Sequence, residues 1–443
     1  MDSKIIAVIA VAVVAVAGVG GYMVLSGNSG SSGGSFTFDD SIQMMVFGNV
    51  NNDSKLDNAD ADALQIMLDN KTFESSKHPY ADANRDGKVD ASDVSYIKDL
   101  AAQKEGTVAY YYNTIDSRID SVKLPLNNIC IVGTPCCTAA LVLDIVDKIV
   151  GVHDTNNWDE AFSDLKAKDK VSDLNTGAAG LNMELFSKVS EKTAGGVGAV
   201  VTTASMGSTY YPEDELKAVG VPSVKMAFGT SYDLNAYATF GFLIGASERA
   251  NEYLDLVNSV YAKATDVIAK AKADNYKVPV TLAMFGSPGM GGGFVNVTES
   301  QDVANIIAAG GVIADGVPDN GTKDPEEGVW IYDMKADVGI ISCQGMTYTS
   351  SDAWWSKINT IVDGMTQLKS LDCVPENTYL VNRNIPNICQ VAYYLELFYP
   401  DYVEAGYGDK VNQTWIDNYY SSTLSGYDVT EHRLFFKMTE LDA

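Results

Sequence analysis

The sequence predicts an α/β protein with two lobes, each a parallel sheet flanked by helices, joined by one long helix. Three observations lead to this fold class. Apolar runs alternate with helical patterns over 127–229 and again over 278–383, which is typical of parallel sheets covered by helices. Between the two series, 247–275 keeps a helical apolar pattern without glycine or proline. Ahead of them, an Asp/Asn rhythm occurs twice, at 49–60 and 82–93, and predicts a small helical calcium module.

Composition limits the function classes. The chain has 443 residues, which allows two or three domains, and 58 acidic residues stand against 31 basic ones. The formal net charge of −27 argues against a nucleic-acid partner, because phosphate binding requires a basic surface. Six cysteines are too few for a disulfide framework in a chain of this length. These features suit an exported domain or one that collects cations.

The N-terminus predicts a membrane anchor within residues 1–27. The uncharged apolar run over 5–25 has the length that a transmembrane helix needs. Lys4 precedes it, which favours a cytoplasmic N-terminus and an extracytoplasmic location for the rest of the chain. A Gly/Ser-rich tether follows over 28–43. We therefore expect a single-pass protein of the cell membrane.

The two Asp/Asn repeats have the spacing of calcium-binding loops. Calcium prefers oxygen ligands, which such a loop supplies from positions 1, 3, 5, 7, 9 and 12. Each repeat is followed by a helical pattern, so the sequence predicts a duplicated loop–helix unit. The predicted ligands of the first loop are Asn49, Asn51, Asp53, the carbonyl of Lys55, Asp57 and Asp60. Those of the second loop are Asp82, Asn84, Asp86, the carbonyl of Lys88, Asp90 and Asp93.

These loops differ from EF-hands, because no entering helix is predicted and position 12 is aspartate. In these respects residues 44–106 resemble a type I dockerin module. The resemblance implies structural calcium and a cohesin partner that contacts positions 10 and 11, here Asn58/Ala59 and Ala91/Ser92. A dockerin fold could also act as a calcium-stiffened spacer. The first loop has Asn49 at position 1 and no glycine at position 6, so we expect its site to be the weaker one.

The remainder divides into a first lobe over 107–246, a linker helix over 247–275 and a second lobe over 276–443. Each lobe is predicted to be Rossmann-like, a parallel sheet with helices on both faces. Because a single helix links the lobes, we expect a small closing motion. The strands of the first lobe are predicted in 127–133, 199–205 and 221–229, with a further short strand near 150. The second lobe is predicted as a further strand–helix series over 278–286, 303–314, 336–345 and 377–383.

Four segments carry a second resemblance through their order along the chain. They are LPLNNICIVGTPCCTAALVLDIVDKIVGV, FGFLIGASERANEYLDLVNS, VANIIAAGGVIAD and NTYLVNRNIPN. In this order they resemble class III substrate-binding proteins of ABC importers, the TroA-like group that carries ferric siderophores, haem and cobalamin. The resemblance implies a carrier that is not an enzyme. It would capture an iron chelate or a corrinoid in a cleft between the lobes and pass it to an ABC permease.

Ligands of open α/β sheets bind outside the carboxyl ends of the strands. The predicted ligand-binding residues of the first lobe are Thr134, Cys136, Cys137, Met206, Tyr210 and Tyr232. Those of the second lobe are Met290, Phe294, Cys343, Met346, Tyr348 and Arg383. The tyrosines and methionines would supply broad apolar contacts. The segment GSPGMGGGF over 286–294 is predicted to be a loop, and its glycines would let the backbone approach a bulky ligand.

Two of these predictions have plain alternatives. The cysteines could bind a soft metal as thiolates, or they could be small buried apolar residues. Arg383 could pair with an anionic group of the ligand, or it could be a surface arginine. The three histidines form no recognisable cluster in the sequence, which argues against a histidine-rich metal receptor.

Two other functions remain open at this point. The first is a dockerin-bearing scaffold or adhesion protein of the cell surface without a role in transport. The second is an enzyme on a related fold, which would need Cys136, Cys137 and Cys343 as cluster ligands.

Overall fold

The computed structural model describes the chain from residue 42 onward, with gaps. The described residues are 42–153, 172–174, 181–203, 212–228, 233–287, 291–295, 301–314, 322–323, 336–343, 376–382, 385–419, 427–431 and 433–442. The predicted anchor and most of the predicted tether lie outside this part of the chain. The last two residues assigned to the tether, Ile42 and Gln43, are described and buried, which corrects the end of the flexible segment. None of the described helices is both long enough and apolar enough to cross a membrane. Two compact units are present, and the described residues change from the first to the second after Leu256.

The first unit opens with the predicted duplicated loop–helix pair. Helix α1 spans Asn58–Asp69 and helix α2 spans Ala91–Ala101. Each helix begins with a capping box, in which the cap side chain and the third helical side chain satisfy each other's backbone N–H groups. The described residues before each loop form no helix. This agrees with the expectation drawn from the apolar and polar pattern.

An antiparallel hairpin follows, which the sequence analysis did not predict. Strand β1 is Val108–Asn113 and strand β2 is Arg118–Lys123. Alternate residues of β1 are buried, as expected for a strand with one covered face. Tyr110 and Tyr112 of the other face pack against a cluster of Met45, Phe47 and Tyr80. Tyrosines on both faces hide the alternation in the sequence, which explains why the strand was missed.

The core of the first unit is a five-stranded parallel sheet in the order β5-β4-β3-β6-β7. Its strands and helices alternate along the chain, as the sequence predicts. The strands are β3 Ile129–Val132, β4 Ile149–His153, β5 Ser172–Asp173, β6 Ala199–Thr203 and β7 Ser223–Met226. The helices are α3 Thr134–Val142, α4 Met183–Lys192, α5 Glu213–Ala218 and α6 Asp233–Leu243, with a 3₁₀ turn at Val146–Lys148.

The predicted long helix is present as α7, which spans Ser247–Ala273. Its residues up to Leu256 belong to the first unit and those from Val257 belong to the second. In the second unit its apolar face includes Val260, Ala264 and Val267, which are buried. Absence of glycine and proline keeps the helix uninterrupted over 27 residues.

The second unit contains a mixed sheet rather than the purely parallel sheet that we predicted. Its main strands run β11-β9-β8-β12-β13-β14, and β10 also pairs with β8. Strands β8, β10, β12 and β13 are parallel, whereas β9, β11 and β14 pair antiparallel. The strands are β8 Val280–Ser287, β9 Gly291–Val295, β10 Val312–Ile313, β11 Thr322–Lys323, β12 Val338–Cys343, β13 Thr378–Asn382 and β14 Phe435–Lys437.

Three described helices pack in the second unit besides α7. They are α8 Gln301–Ala308, α9 Asn387–Phe398 and α10 Tyr407–Tyr419, and a 3₁₀ turn at Met438–Asp442 ends the described chain. Helix α9 is buried along nearly its whole length, since nine of its twelve residues are inaccessible to solvent. It packs against α8 and α10 in the core of this unit.

Candidate functional site

The first predicted calcium loop, residues 49–60, is organised around its last residue. Asp60 is completely buried, and its Oδ1 accepts hydrogen bonds from the backbone N–H groups of Val50 at 2.8 Å and Asn51 at 3.2 Å. Its Oδ2 accepts from the backbone of Asp57 at 3.0 Å. One carboxylate thus joins both ends of the loop 49–60.

The second loop repeats this arrangement. Asp93 is also completely buried, and its Oδ1 accepts from the backbone N–H of Asn84 at 3.2 Å. Its Oδ2 accepts from the backbone of Asp90 at 2.9 Å. Equivalent positions carry equivalent bonds in both loops, so the two Asp/Asn repeats are one structural device used twice.

Side chains at positions 3 and 5 curve each loop. In the first loop, Oδ1 of Asn51 accepts from the backbone of Asp53, and Oδ1 of Asp53 accepts from the backbone of Lys55 at 2.7 Å. In the second loop, Asn84 and Asp86 accept from the backbone two residues further on, at 2.9 Å each. Such Asx turns hold a loop closed without a helix or a sheet.

The residue at position 1 of each loop carries an unsatisfied oxygen. Asn49 is fully buried, and its Nδ2 donates to the carbonyls of Met44 and Asp53, both at 2.7 Å. Its Oδ1 is buried without a hydrogen-bond partner in the described structure, and so is Oδ1 of Asp82. A buried oxygen that lacks a donor costs about 1–3 kcal/mol, so two of them at equivalent positions require an explanation.

The electrostatics of the two loops also favour binding of a cation. Burial raises the pKa of Asp60 to about 6 and raises the pKa of Asp93, against the lowering effect of their backbone hydrogen bonds. No ion pair involves either carboxylate in the described residues. In the described part of the chain, no group of three or more His, Cys, Asp or Glu side chains converges as a metal site. A cation at these loops would therefore depend on amide and backbone oxygens as well.

The predicted ligand edge of the first unit lies where β3, β4, β6 and β7 end together, since these strands are parallel. Cys136 and Cys137 lie in the first turn of α3, directly after β3, and both are buried. Thr134 begins the same helix, and its side chain lies outside the described structure. Burial raises the pKa of the Cys136 thiol, which keeps it protonated at neutral pH.

The corresponding cysteine of the second unit is Cys343, the last residue of β12. It is completely buried, and burial raises the pKa of its thiol to about 12. Soft-metal binding requires a thiolate. The surroundings of Cys136 and Cys343 are those of packed neutral thiols, and they favour the apolar alternative given above.

Most of the other predicted ligand residues lie outside the described structure. These are Met206, Tyr210, Tyr232, Met290, Met346, Tyr348 and Arg383. The segment 286–294, which we predicted to be a loop, is corrected in part by the structure. Strand β8 continues to Ser287 and pairs with β9, so Phe294 lies in an antiparallel strand opposite Met284.

The sequence analysis missed a buried polar group at the edge of the first unit. His153 is the last residue of β4, is only 4% exposed, and neither ring nitrogen has a hydrogen-bond partner in the described structure. Buried imidazoles are usually satisfied, so His153 is a candidate contact residue. Its position at the end of a predicted strand was the available signal. A lone histidine forms no metal-ligand cluster in the sequence, so it gives no other local signal.

A buried polar network also lies at the carboxyl edge of the second sheet. The hydroxyl of Ser342 in β12 donates to Asp302 of α8 at 2.8 Å. Asn305 of α8 donates to Asn387 at 3.2 Å and to Gln390 at 3.1 Å, both on α9. These bonds fix the first turns of α8 and α9 to the edge that the predicted ligand segments flank. Contacts across such sequence distances leave no local pattern to predict.

Comparison with solved structures places the fold. A TroA-like periplasmic binding protein, FepB from Veillonella parvula, matches with a TM-score of 0.50 and 15% sequence identity, over 69% of this chain and 94% of that one. The chain is similar in fold to this TroA-like protein. At this identity the likeness shows the fold alone.

Two further matches have lower scores. An ABC transporter solute binding protein from Sulfurospirillum deleyianum has a TM-score of 0.49 and 14% identity, over 73% of this chain and 98% of that one. A periplasmic solute binding protein from Veillonella parvula has a TM-score of 0.48 and 17% identity, over 73% and 96%. These two proteins are binding proteins by description. No protein-family model and no curated protein matches the sequence.

Proposed function

We propose that this protein is the substrate-binding component of an ABC importer and that it captures an iron chelate, haem or a corrinoid. The observation that carries the proposal is the TroA-like fold, in which each unit has a sheet whose parallel strands end at a common edge. That edge is where open α/β sheets bind ligands. The buried polar network of Ser342, Asp302 and Asn305 supports the edge of the second unit.

The tyrosine-, methionine- and glycine-rich segments after the strands support a bulky ligand with a large apolar surface. The apolar run over 5–25 supports a single membrane anchor, with the two units outside the cytoplasm. The partner of the loaded protein would then be an ABC permease in the same membrane. Binding needs no catalytic group, only a higher affinity of one conformation for the ligand.

Absorbance titration tests the ligand proposal. Purified protein is titrated with haem, with aquocobalamin and with a ferric catecholate siderophore, and we expect saturable binding of one of them at micromolar concentration or below. Arg383→Met should weaken binding of an anionic ligand, whereas Arg433→Met should leave it unchanged because Arg433 pairs with Glu440 at the surface. Absence of binding of all three ligands would contradict the proposal.

We further propose that loops 49–60 and 82–93 each bind one calcium ion. The unsatisfied oxygens of Asn49 and Asp82 support this, because a cation would give both of them a partner. Calorimetry should show two sites in the unchanged protein. Asp53→Ala should remove the first site and Asp86→Ala the second, while Asp69→Ala, a change at the exposed end of α1, should remove neither. A protein that binds no calcium would refute this proposal and leave the ligand proposal unaffected.

A second candidate function, docking to a cohesin on a surface scaffold, is supported by one observation. Asn58, Ala59, Ala91 and Ser92, the positions that the dockerin resemblance implies for partner contact, are all exposed on the first turns of α1 and α2. Capture of purified cohesin domains tests it. Binding that is lost in a variant with Ala59→Arg and Ala91→Arg, combined with absence of chelate binding, would favour the scaffold function over transport.

A further inference from the structure

The calcium module bonds to helix α6 of the first unit through the segment 42–47 and also through Gln103, which follows α2 and donates from Nε2 to the carbonyl of Phe242 at 3.0 Å. Within this segment Met44 faces the first calcium loop: its N–H donates to the carbonyl of Asp53 at 2.9 Å, and its carbonyl accepts from Nδ2 of Asn49 at 2.7 Å. The side chain of Gln43 also donates to Oδ1 of Asn52 at 3.0 Å. The segment therefore follows the geometry of loop 49–60 closely.

The residues on either side of Met44, Gln43 and Met45, form hydrogen bonds to helix α6. The backbone N–H of Gln43 donates to Oδ1 of Asn235 at 3.1 Å, and the backbone N–H of Met45 donates to Oγ1 of Thr239 at 2.9 Å. Asn235 and Thr239 are four residues apart, so they lie on one face of the helix. Both are buried, at 6% and 3% exposure. Buried hydrogen bonds of this kind are expensive to break, because water cannot replace them.

Helix α6 begins at Asp233, directly after the segment 229–232 that contains the predicted ligand residue Tyr232. The same segment 42–47 is thus bonded on one side to the first calcium loop and on the other side to the first two turns of this helix. No comparable bond in the described structure joins loop 82–93 to α6. The second repeat reaches the end of α6 through Gln103 after α2, whereas the first loop is bonded through segment 42–47 to the first two turns, so the two loops connect to different parts of this helix.

We propose that Asn235 and Thr239 are positioning residues that couple calcium binding at loop 49–60 to helix α6, the helix that follows the ligand segment 229–232. This inference rests on the proposed calcium and ligand functions. Calcium that orders Asn49 and Asp53 holds Met44, and with it the hydrogen bonds of Gln43 and Met45 to α6. Coupling between two binding events is reciprocal, so anchoring of α6 raises the calcium affinity of the first loop by the same factor.

Calcium alone is a sufficient probe. Calorimetric titration is done in an Asp86→Ala background, in which only the first loop binds, and in an Asp53→Ala background, in which only the second loop binds. Asn235→Ala with Thr239→Val should lower the calcium affinity of the first loop by about fivefold or more, the lower end of usual coupling factors, and that of the second loop by less than about twofold.

A matched control is Thr203→Val. The hydroxyl of Thr203 is also buried, and it donates to the backbone carbonyl of Phe228 in the first unit at 2.8 Å. It has no bond to residues 42–53 in the described structure. It should affect stability without changing the calcium affinity of either loop. An equal loss of affinity in Thr203→Val would show that the effect reflects general destabilisation and would overturn the coupling.

A second measurement avoids changes to α6. Hydrogen–deuterium exchange of the amides of α6 is compared with calcium and with chelator, in the unchanged protein and in Asp53→Ala. We expect calcium to slow exchange at the start of α6 in the unchanged protein and to have no effect there in Asp53→Ala. Calcium binding with unchanged exchange and unchanged affinity in the α6 variant would overturn the coupling alone. Absence of calcium binding would overturn the calcium proposal together with it.

Discussion

Gly310 and Gly311 are glycines because side chains do not fit at these positions. The pair follows α8, and Gly310 adopts a left-handed φ of +75°. A Cβ on Gly310 would lie 2.5 Å from the hydroxyl of Tyr399 and 2.7 Å from Ile268, and a Cβ on Gly311 would lie 2.5 Å from Phe398. The double glycine that contributes to the TroA-like resemblance is thus a close-packing device in the core of the second unit.

Gly310→Ala should therefore destabilise the protein more than Gly406→Ala. Gly406 has a similar φ of +80° but has nothing within 4 Å of a Cβ position. Left-handed backbone alone costs about 1–2 kcal/mol for a residue with a side chain. Crowding should add about 1–3 kcal/mol to the unfolding free energy lost in Gly310→Ala. Denaturant unfolding of both variants measures the difference, and equal losses would contradict the packing argument.

Thiol accessibility tests the environment of the cysteines. Cys130, Cys136, Cys343 and Cys389 are free and buried, and burial raises the pKa of each thiol. Native protein should leave these four unlabelled by iodoacetamide over minutes, and unfolded protein should label all of them, as mass spectrometry of the peptides would show. Rapid native labelling of Cys136 or Cys343 would restore the soft-metal hypothesis.

At the scale of elements, a charge network attaches the hairpin β1–β2 to the parallel sheet of the first unit. Arg118 of β2 pairs with Asp120 and with Glu213, the first residue of α5. Lys225 of β7 pairs with Glu213 at 2.7 Å and with Asp116 of the hairpin turn at 2.8 Å. Partial burial raises the pKa of Glu213, but the hydrogen bonds from Lys225 and Arg118 outweigh it and lower the pKa below its usual value.

This lowered pKa sets the direction of the pH dependence. The folded state binds fewer protons at Glu213 than the unfolded state, so the stabilisation is present above pH 4.5 and is lost as the pH falls through the lower folded value. Glu213→Gln should cost up to about 1 kcal/mol of unfolding free energy at pH 7, and the difference from the unchanged protein should shrink below pH 4.5.

Glu184→Gln provides the control for this prediction. Glu184 pairs with Lys188 on an exposed face of α4, and its removal should have little effect at any pH. Denaturant unfolding between pH 3 and pH 7 makes the comparison. A constant difference between Glu213→Gln and the unchanged protein over that range would show that the ion pairs do not stabilise the attachment.

The elements were predicted unevenly. Strands β3, β6, β7, β8, β12 and β13 and helices α1, α2 and α7 were predicted, because each has a continuous apolar run or a helical period that is visible locally. The hairpin β1–β2 and the strand β14 were missed. Both are paired antiparallel, and their faces are covered by residues distant in the sequence, so their stabilising contacts leave no local period.

At the scale of the whole molecule, calcium should act on one unit. Every predicted calcium ligand of the two loops lies before Leu256, in the first unit. Calcium binding should therefore stabilise the folded state of the first unit. With free calcium at about a hundred times the dissociation constant, each site would add about 2.7 kcal/mol to the stability of that unit.

Calorimetric unfolding should therefore show a higher unfolding temperature for the first unit in calcium than in chelator. Peptides from 376–419, in the second unit, should show unchanged hydrogen exchange in the same comparison. Protection that spreads equally over both units would mean that calcium acts on the molecule through a route other than the loops.

The sequence by itself determined the order of the main parallel strands, the long helix α7 and the two loop–helix repeats, because these depend on residues close together in the chain. The tertiary structure decided which groups meet. Gln43 and Met45 lie 192 and 194 residues from their partners Asn235 and Thr239, and the pairs are joined only when the core of the first unit is closed. The burial of the cysteine thiols and of Oδ1 of Asn49 follows from the same closure. Long-range packing, which removes water from particular atoms, has no signature in local periodicity.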